Sequence, residues 1–167
     1  MRHDMRSQTS AGPKTSEAGM PLQAARRVAM GAFARATLPE LRFGLDLLDA
    51  AIPCETLRRP ETGLVMLRGR IGGEGAPFNV GEATVTRAAV RLPTGETGFS
   101  YVLGRDKDKA HLAALADALW QQDATRAAIE ERLVRPVQAR LAQEERRSAV
   151  QAAATKVEFF AMARGED

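Results

Sequence analysis

Arginine is the residue with most scope for chemistry in this chain of 167 residues. Arg68 and Arg70 alternate with Leu67 and Ile71, and Arg87 and Arg91 alternate with Ala88, Val90 and Leu92 further on. A period of two puts the arginines of each segment on one face of a strand. Cross-strand pairing would then gather all four. A guanidinium is planar and grips phosphate oxygens through two parallel bonds, so such a cluster would hold an anion. The preferred alternative is plainer: the face is solvated, or it meets acidic residues of a partner.

A second cationic segment is Gly104-Arg105-Asp106-Lys107-Asp108-Lys109-Ala110-His111. It falls between a predicted strand and a predicted helix. Backbone donors at a helix start attract anions, and Arg105 and Lys107 would add charge. Asp106 and Asp108 suit the same position as caps and partly cancel that charge. Capping is the reading preferred for the aspartates. For Arg105 and Lys107 both readings stand.

Other chemistries find little support. His111 is one of two histidines and reads as a surface residue in the first turns of a helix. Ser100 lies in Gly98-Phe99-Ser100-Tyr101-Val102, which lacks the second glycine of a nucleophile elbow. Gly72-Gly73-Glu74-Gly75 invites a phosphate-loop reading, yet no Lys-Ser or Lys-Thr follows and the next element reads as a strand, so a hairpin loop is preferred. Cys54 is the single cysteine, which rules out an internal disulfide and zinc sites of several Cys and His; it is expected to be a buried apolar group. No catalytic residue and no metal site emerges.

The elements that must position these groups are legible in outline. Residues 1–20 read as a disordered arm, and 21–167 as one domain. A helix is expected from Leu22, with Ala25, Val28, Ala29, Ala32 and Ala36 on one stripe. Thr37-Leu38-Pro39-Glu40 is a capping box opening a second helix that carries Leu41, Leu45 and Leu48. Strands are expected over 64–71, 78–92 and 97–103, with 54–59 as an added edge strand, Gly81 as a bulge and Pro93-Thr94-Gly95 as a hairpin turn. Helices follow from Asp106, from Thr125 to Val134, and beyond Pro136, the last with Val150, Ala153, Ala154, Val157 and Phe160 on a stripe. The predicted fold is α+β: a small antiparallel meander of about four strands packed with helices from both ends of the chain.

The net charge is +3, with a pI of about 9.5. That is mildly basic, and it is not organised as a basic helix. One Trp and one Tyr offer little for base stacking, so nucleic acid is not an expected partner. No run approaches the roughly 20 apolar residues of a spanning helix, and Met1–Met20 lacks a signal-peptide core. The expected location is the cytoplasm.

Several blocks resemble the PhnG family: Glu61-Thr62-Gly63-Leu64-Val65, Gly72-Gly73-Glu74-Gly75, Gly81-Glu82-Ala83-Thr84-Val85-Thr86-Arg87-Ala88-Ala89-Val90-Arg91-Leu92, Gly104-Arg105-Asp106-Lys107, Val157-Glu158-Phe159-Phe160 and Arg164-Gly165. Their order and spacing cover the chain from about residue 24 onward. The resemblance implies a subunit of the carbon–phosphorus lyase system of phosphonate catabolism, acting with PhnH, PhnI, PhnJ and PhnL and present in two copies. It implies a part in displacing adenine from ATP (with magnesium) by methylphosphonate, with the chemistry generally attributed to PhnI. No cofactor is expected on this chain alone. Arg87, Arg91, Arg105 and Lys107 are the residues expected to hold the triphosphate, if this chain touches it. The competing expectation is an independent phosphate- or nucleotide-binding module.

Overall fold

A computed structural model describes residues 21–46, 52–70 and 75–154. The expected arm at 1–20, the glycine segment 72–74, Leu48, Val157 and Phe160 lie outside the described residues. The element order is α1 (Leu22–Arg35), α2 (Leu38–Asp46), β1 (Glu55–Gly69), β2 (Phe78–Arg91), β3 (Thr97–Leu103), α3 (Lys107–Trp120), α4 (Asp123–Ile129), a π-turn (Glu130–Val134) and α5 (Arg135–Ala154). The strands form one antiparallel sheet in the order β1-β2-β3. The α+β class holds, with three strands in place of about four.

The expected edge strand at 54–59 and the strand at 64–71 are one continuous element of 15 residues. Pro60 lies between the two. Here it sits in an edge strand where the register shifts between Arg58 and Glu61, so no ladder bond is lost to its missing N–H. The last of the three register shifts, between Leu67 and Arg68, falls where β1 passes Gly81, close to the expected bulge.

Turn and cap chemistry behaves as the residues dictate. Thr37 N–H donates to Glu40 Oε2 at 2.7 Å, and Glu40 N–H donates back to Thr37 Oγ1 at 3.3 Å. Asp106 caps α3 by accepting from Lys109 N–H at 2.9 Å. Each such cap contributes about 1 kcal/mol. Between β2 and β3, Gly95 N–H donates to Leu92 O and the glycine takes a φ of +105°, the left-handed position a three-residue hairpin loop requires.

The core lies around α3. Every residue from Ala113 to Trp120 is buried, because the sheet covers one side of the helix and α1, α2 and α4 cover the others. A single apolar stripe of Leu112, Leu115, Ala116 and Leu119 was the expectation, but a helix enclosed all round needs small or apolar residues all round. Ala110, Ala113, Ala114, Ala116 and Ala118 supply them. Gly98 on β3 makes the closest approach: a Cβ there would lie 2.0 Å from Ala114 O. Phe33 of α1, absent from the expected stripe, is buried, while Val28 is exposed. Cys54, expected to be buried, is half-buried against the edge of the core.

Pro136 does not stop the final helix. The N–H of Arg135 donates to Glu130 O, five residues back, so the chain widens to a π-turn just before the proline, which lacks the N–H to continue the ordinary ladder. Trp120 packs beside this turn. Its Nε1–H donates to Glu130 Oε1 at 2.6 Å, and the Arg126 guanidinium lies 5.1 Å from its ring centre.

Candidate functional site

The sheet has two unlike faces. The inner face carries Thr86, Ala88 and Val90 opposite Val102, Ser100 and Gly98, all buried, and α3 packs on it. The outer face carries Arg87 opposite Tyr101 and Arg91 opposite Thr97, with Ala89 and Val85 opposite Phe99 and Leu103. Phe99, Tyr101 and Leu103 are exposed there, and Leu103 is 73% exposed.

Arg87 and Arg91 do share a face, as their spacing requires, and the acids they meet belong to this same chain. Glu61 stands directly across from Arg87 and Glu55 directly across from Arg91. Arg87 Nε donates to Glu61 Oε1 at 2.7 Å, and Arg58 Nη1 reaches the same oxygen at 2.6 Å. Arg91 lies 3.6 Å from Glu55. The two arginines, Arg58 first, hold the Glu61 carboxyl below the usual carboxylate range. Tyr101 and then Glu61 hold Arg87 still more firmly charged. Exposed pairs of this kind add little stability. They do align the guanidinium groups along one open face.

The other two candidate residues lie elsewhere. Lys107, at the start of α3, lines an open cleft of about 530 Å³ with Arg42, Asp46, Pro60, Asp108 and His111. Arg42 lies 4.0 Å from Asp108, a loose and exposed pair. Arg105 is exposed in the turn after Gly104, whose φ of +91° takes the chain off β3. The structure therefore does not bring Arg87, Arg91, Arg105 and Lys107 into one pocket. Two occupy the outer sheet face, Lys107 lies on the helical side, and Arg105 is at the turn between. Among the described residues, Arg105 and Lys107 make no ion pair.

Ser100 is spoken for: its hydroxyl donates to Ala110 O at 2.6 Å inside the core. His111 is half-buried at the cleft. Among the described residues no group of three or more His, Cys, Asp or Glu is placed to hold a metal.

Among the ion pairs that the sequence reading missed, two join separate helices through hydrogen bonds. Asp117 is fully buried. It accepts from Arg26 Nε at 2.9 Å and Nη2 at 2.7 Å, and from Phe99 N–H at 2.9 Å. One carboxylate thus joins α1, α3 and β3. An aspartate between Ala116 and Ala118 in an otherwise apolar run was the available signal. Arg140 Nε donates to Glu40 Oε1 at 2.7 Å, tying α5 to α2. That bond, with help from Thr37, holds the Glu40 carboxyl down at about 2.

By sequence comparison this is a protein of phosphonate metabolism. Residues 24–165 match the family model described as phosphonate metabolism protein PhnG, and the chain belongs to the PhnG family. It is 56% identical over 144 residues to the alpha-D-ribose 1-methylphosphonate 5-triphosphate synthase subunit PhnG of Rhizobium meliloti (strain 1021), a match spanning 86% of this chain and 92% of that one. Among the described residues no helix is long and apolar enough to cross a membrane.

Proposed function

We propose that this chain is a subunit of the assembly that moves methylphosphonate onto the ribose of ATP. In that reaction a phosphonate oxygen bonds to C1′, the C1′–N9 bond breaks, and adenine leaves with the bonding pair and a proton. The observation that carries the reading is the 56% identity to a subunit of the synthase named for that product, across 92% of its length. The role we assign is assembly and positioning, in the cytoplasm, beside PhnH, PhnI, PhnJ and PhnL and a second copy of this chain. ATP with magnesium is the substrate of the whole, and no cofactor belongs to this chain alone. The exposed apolar groups Phe99, Tyr101 and Leu103 support a role in contacts.

Arg87, Arg91, Arg105 and Lys107 remain our candidates for holding the triphosphate. Since the fold divides them, the two groups would serve different parts of the assembly or different phosphates. Arg105 and Lys107, without ion pairs among the described residues, are the freer of the four.

The test is co-expression of the tagged chain with the other subunits, followed by size-exclusion chromatography and a turnover assay on ATP and methylphosphonate. Stoichiometric elution in a large complex, with turnover lost when this chain is omitted, is the expected result. A free monomer that binds ATP by titration, more weakly as salt rises, would establish the independent module instead.

A further inference from the structure

Beyond the end of β3, the strands β1 and β2 run on as a two-stranded ribbon. Val85 is the last residue of β2 to pair with β3, opposite Leu103. From there, among the described residues, Leu64–Gly69 and Phe78–Thr84 form strand pairs only with each other, apart from the bond that Gly104 N–H donates to Thr84 O. Seven residues at about 3.3 Å each give a projection of about 23 Å.

This ribbon exposes large apolar groups on both faces, with Thr84 and Glu82 across from Leu64 and Met66. Leu64 and Met66 point to one side and are 64% and 58% exposed. Leu67 points to the other, and Val80 is 60% exposed. Phe78 is exposed as well, at the far end where it pairs with Gly69. A ribbon meant for water would keep large apolar groups off at least one face, and an isolated two-stranded hairpin is marginal in water. Among the described residues the outer edge of β2 from Phe78 to Ala83 also has no neighbouring strand, which leaves its backbone groups open to a partner.

We infer that this ribbon is a docking arm, received into an apolar groove of a different subunit of the same assembly. The inference rests on the subunit reading above. Area favours enclosure. One face of a two-stranded ribbon about 23 Å long offers on the order of 300 Å², whereas both faces and the open edge together approach the roughly 800 Å² per partner of a stable interface. Charge sets the rim. Arg68 and Arg70 are exposed and make no ion pair among the described residues, so the groove that fits carries carboxylates at its mouth. A second copy of this chain fits poorly. Its cleft by α2 and α3 sets Arg42 and Lys107 beside Asp46 and Asp108, so it offers the arm no net negative charge, and the one along α5 is lined with Arg146 and Arg147, which would present like charge.

The experiment uses the full chain co-expressed with its partner subunits. Met66→Glu with Val80→Glu should lower incorporation into the complex at least tenfold. The isolated double variant should melt at the wild-type temperature, because both side chains are already in solvent. A photo-crosslinking residue at position 80 of the otherwise wild-type chain should capture a different subunit. If the double variant incorporates like wild type, or if position 80 captures only a second copy of this chain, the docking arm is refuted while the subunit reading stands. If the wild-type chain itself fails to incorporate, both fall. Should the double variant misfold, the crosslink decides alone.

Discussion

Gly98→Ala is the most demanding test of the packing around α3. The added Cβ would lie 2.0 Å from Ala114 O, 2.6 Å from Ala118 N and 2.8 Å from Ala118 Cβ. All three are helix backbone or its first side-chain atom, so no rotamer change relieves them. Ordinary contact begins near 3.4 Å, and α3 must therefore retreat by about 1.4 Å at this point. That movement also stretches the 2.9 Å bond from Phe99 N–H to Asp117 and the 2.8 Å bond from Gln121 to Thr97 O. Overpacking a rigid core costs about 1–3 kcal/mol, and the added strain on these bonds places the cost at the upper end, about 3 kcal/mol or more. For a domain of this size each kcal/mol moves the melting point by about 2–4 °C, so a fall of about 10 °C is expected by calorimetry. Gly63→Ala is the control, since nothing lies within 4 Å of its added Cβ. It should stay within about 2 °C of wild type on the same scale. A Gly98→Ala protein that melts within that same margin would refute the close seating of α3 on β3.

Three further outcomes follow from the ion pairs. Asp117→Asn removes the charge that Arg26 meets inside the core. Arg26 is partly exposed, so the loss should be about 2–3 kcal/mol, less than for a wholly buried pair, and Arg26→Met in the same chain should restore part of it; denaturant melts measure both. The Glu40 carboxyl sits at about 2 in the fold against 4.5 ordinarily, so its contribution is complete above pH 4.5 and is lost as pH falls from 4.5 toward 2. With a quarter of its side chain in solvent, that contribution is about 1–2 kcal/mol, and Arg140→Ala should flatten the acid limb of a melting-point-against-pH curve. Arg87→Ala should leave the melting point unchanged, since Glu61 keeps Arg58, while turnover or assembly of the complex weakens; a collapse in melting temperature would make Arg87 structural instead.

Signals that act within a few residues were legible. The Thr37–Glu40 box, the Asp106 cap and the turn at Gly95 are each complete inside a short stretch of chain, and each formed as its residues require. The family resemblance was legible for a related reason: its blocks are contiguous. Longer-range features were not. Arg26 and Asp117 are 91 residues apart, and Arg87 and Glu61 are 26 apart, so neither pairing has a local signature. The two expected strands on either side of Pro60 proved to be one because a proline's meaning depends on whether its strand is an edge. Arg87 and Arg91 shared a face, as the period of two demanded, but the register put Arg68 across from Asn79, far along β2 from Arg87, so the four arginines are not gathered, and the fold set Lys107 on the other side of the sheet. The apolar ribbon was hidden because alternating exposure means a half-buried strand only where something covers one side.

The chain has a single tryptophan, and the fold places it at a junction. Trp120 ends the central helix, is 1% exposed, and touches Glu130 and Arg126 from the next turns. Its emission is therefore a built-in optical probe of one joint, the one where α3 hands over to α4 and α5. Unfolding would shift it to the red as water arrives. An event on the distant ribbon would leave it unmoved, so no dye need be attached to tell collapse of the body from docking of the arm.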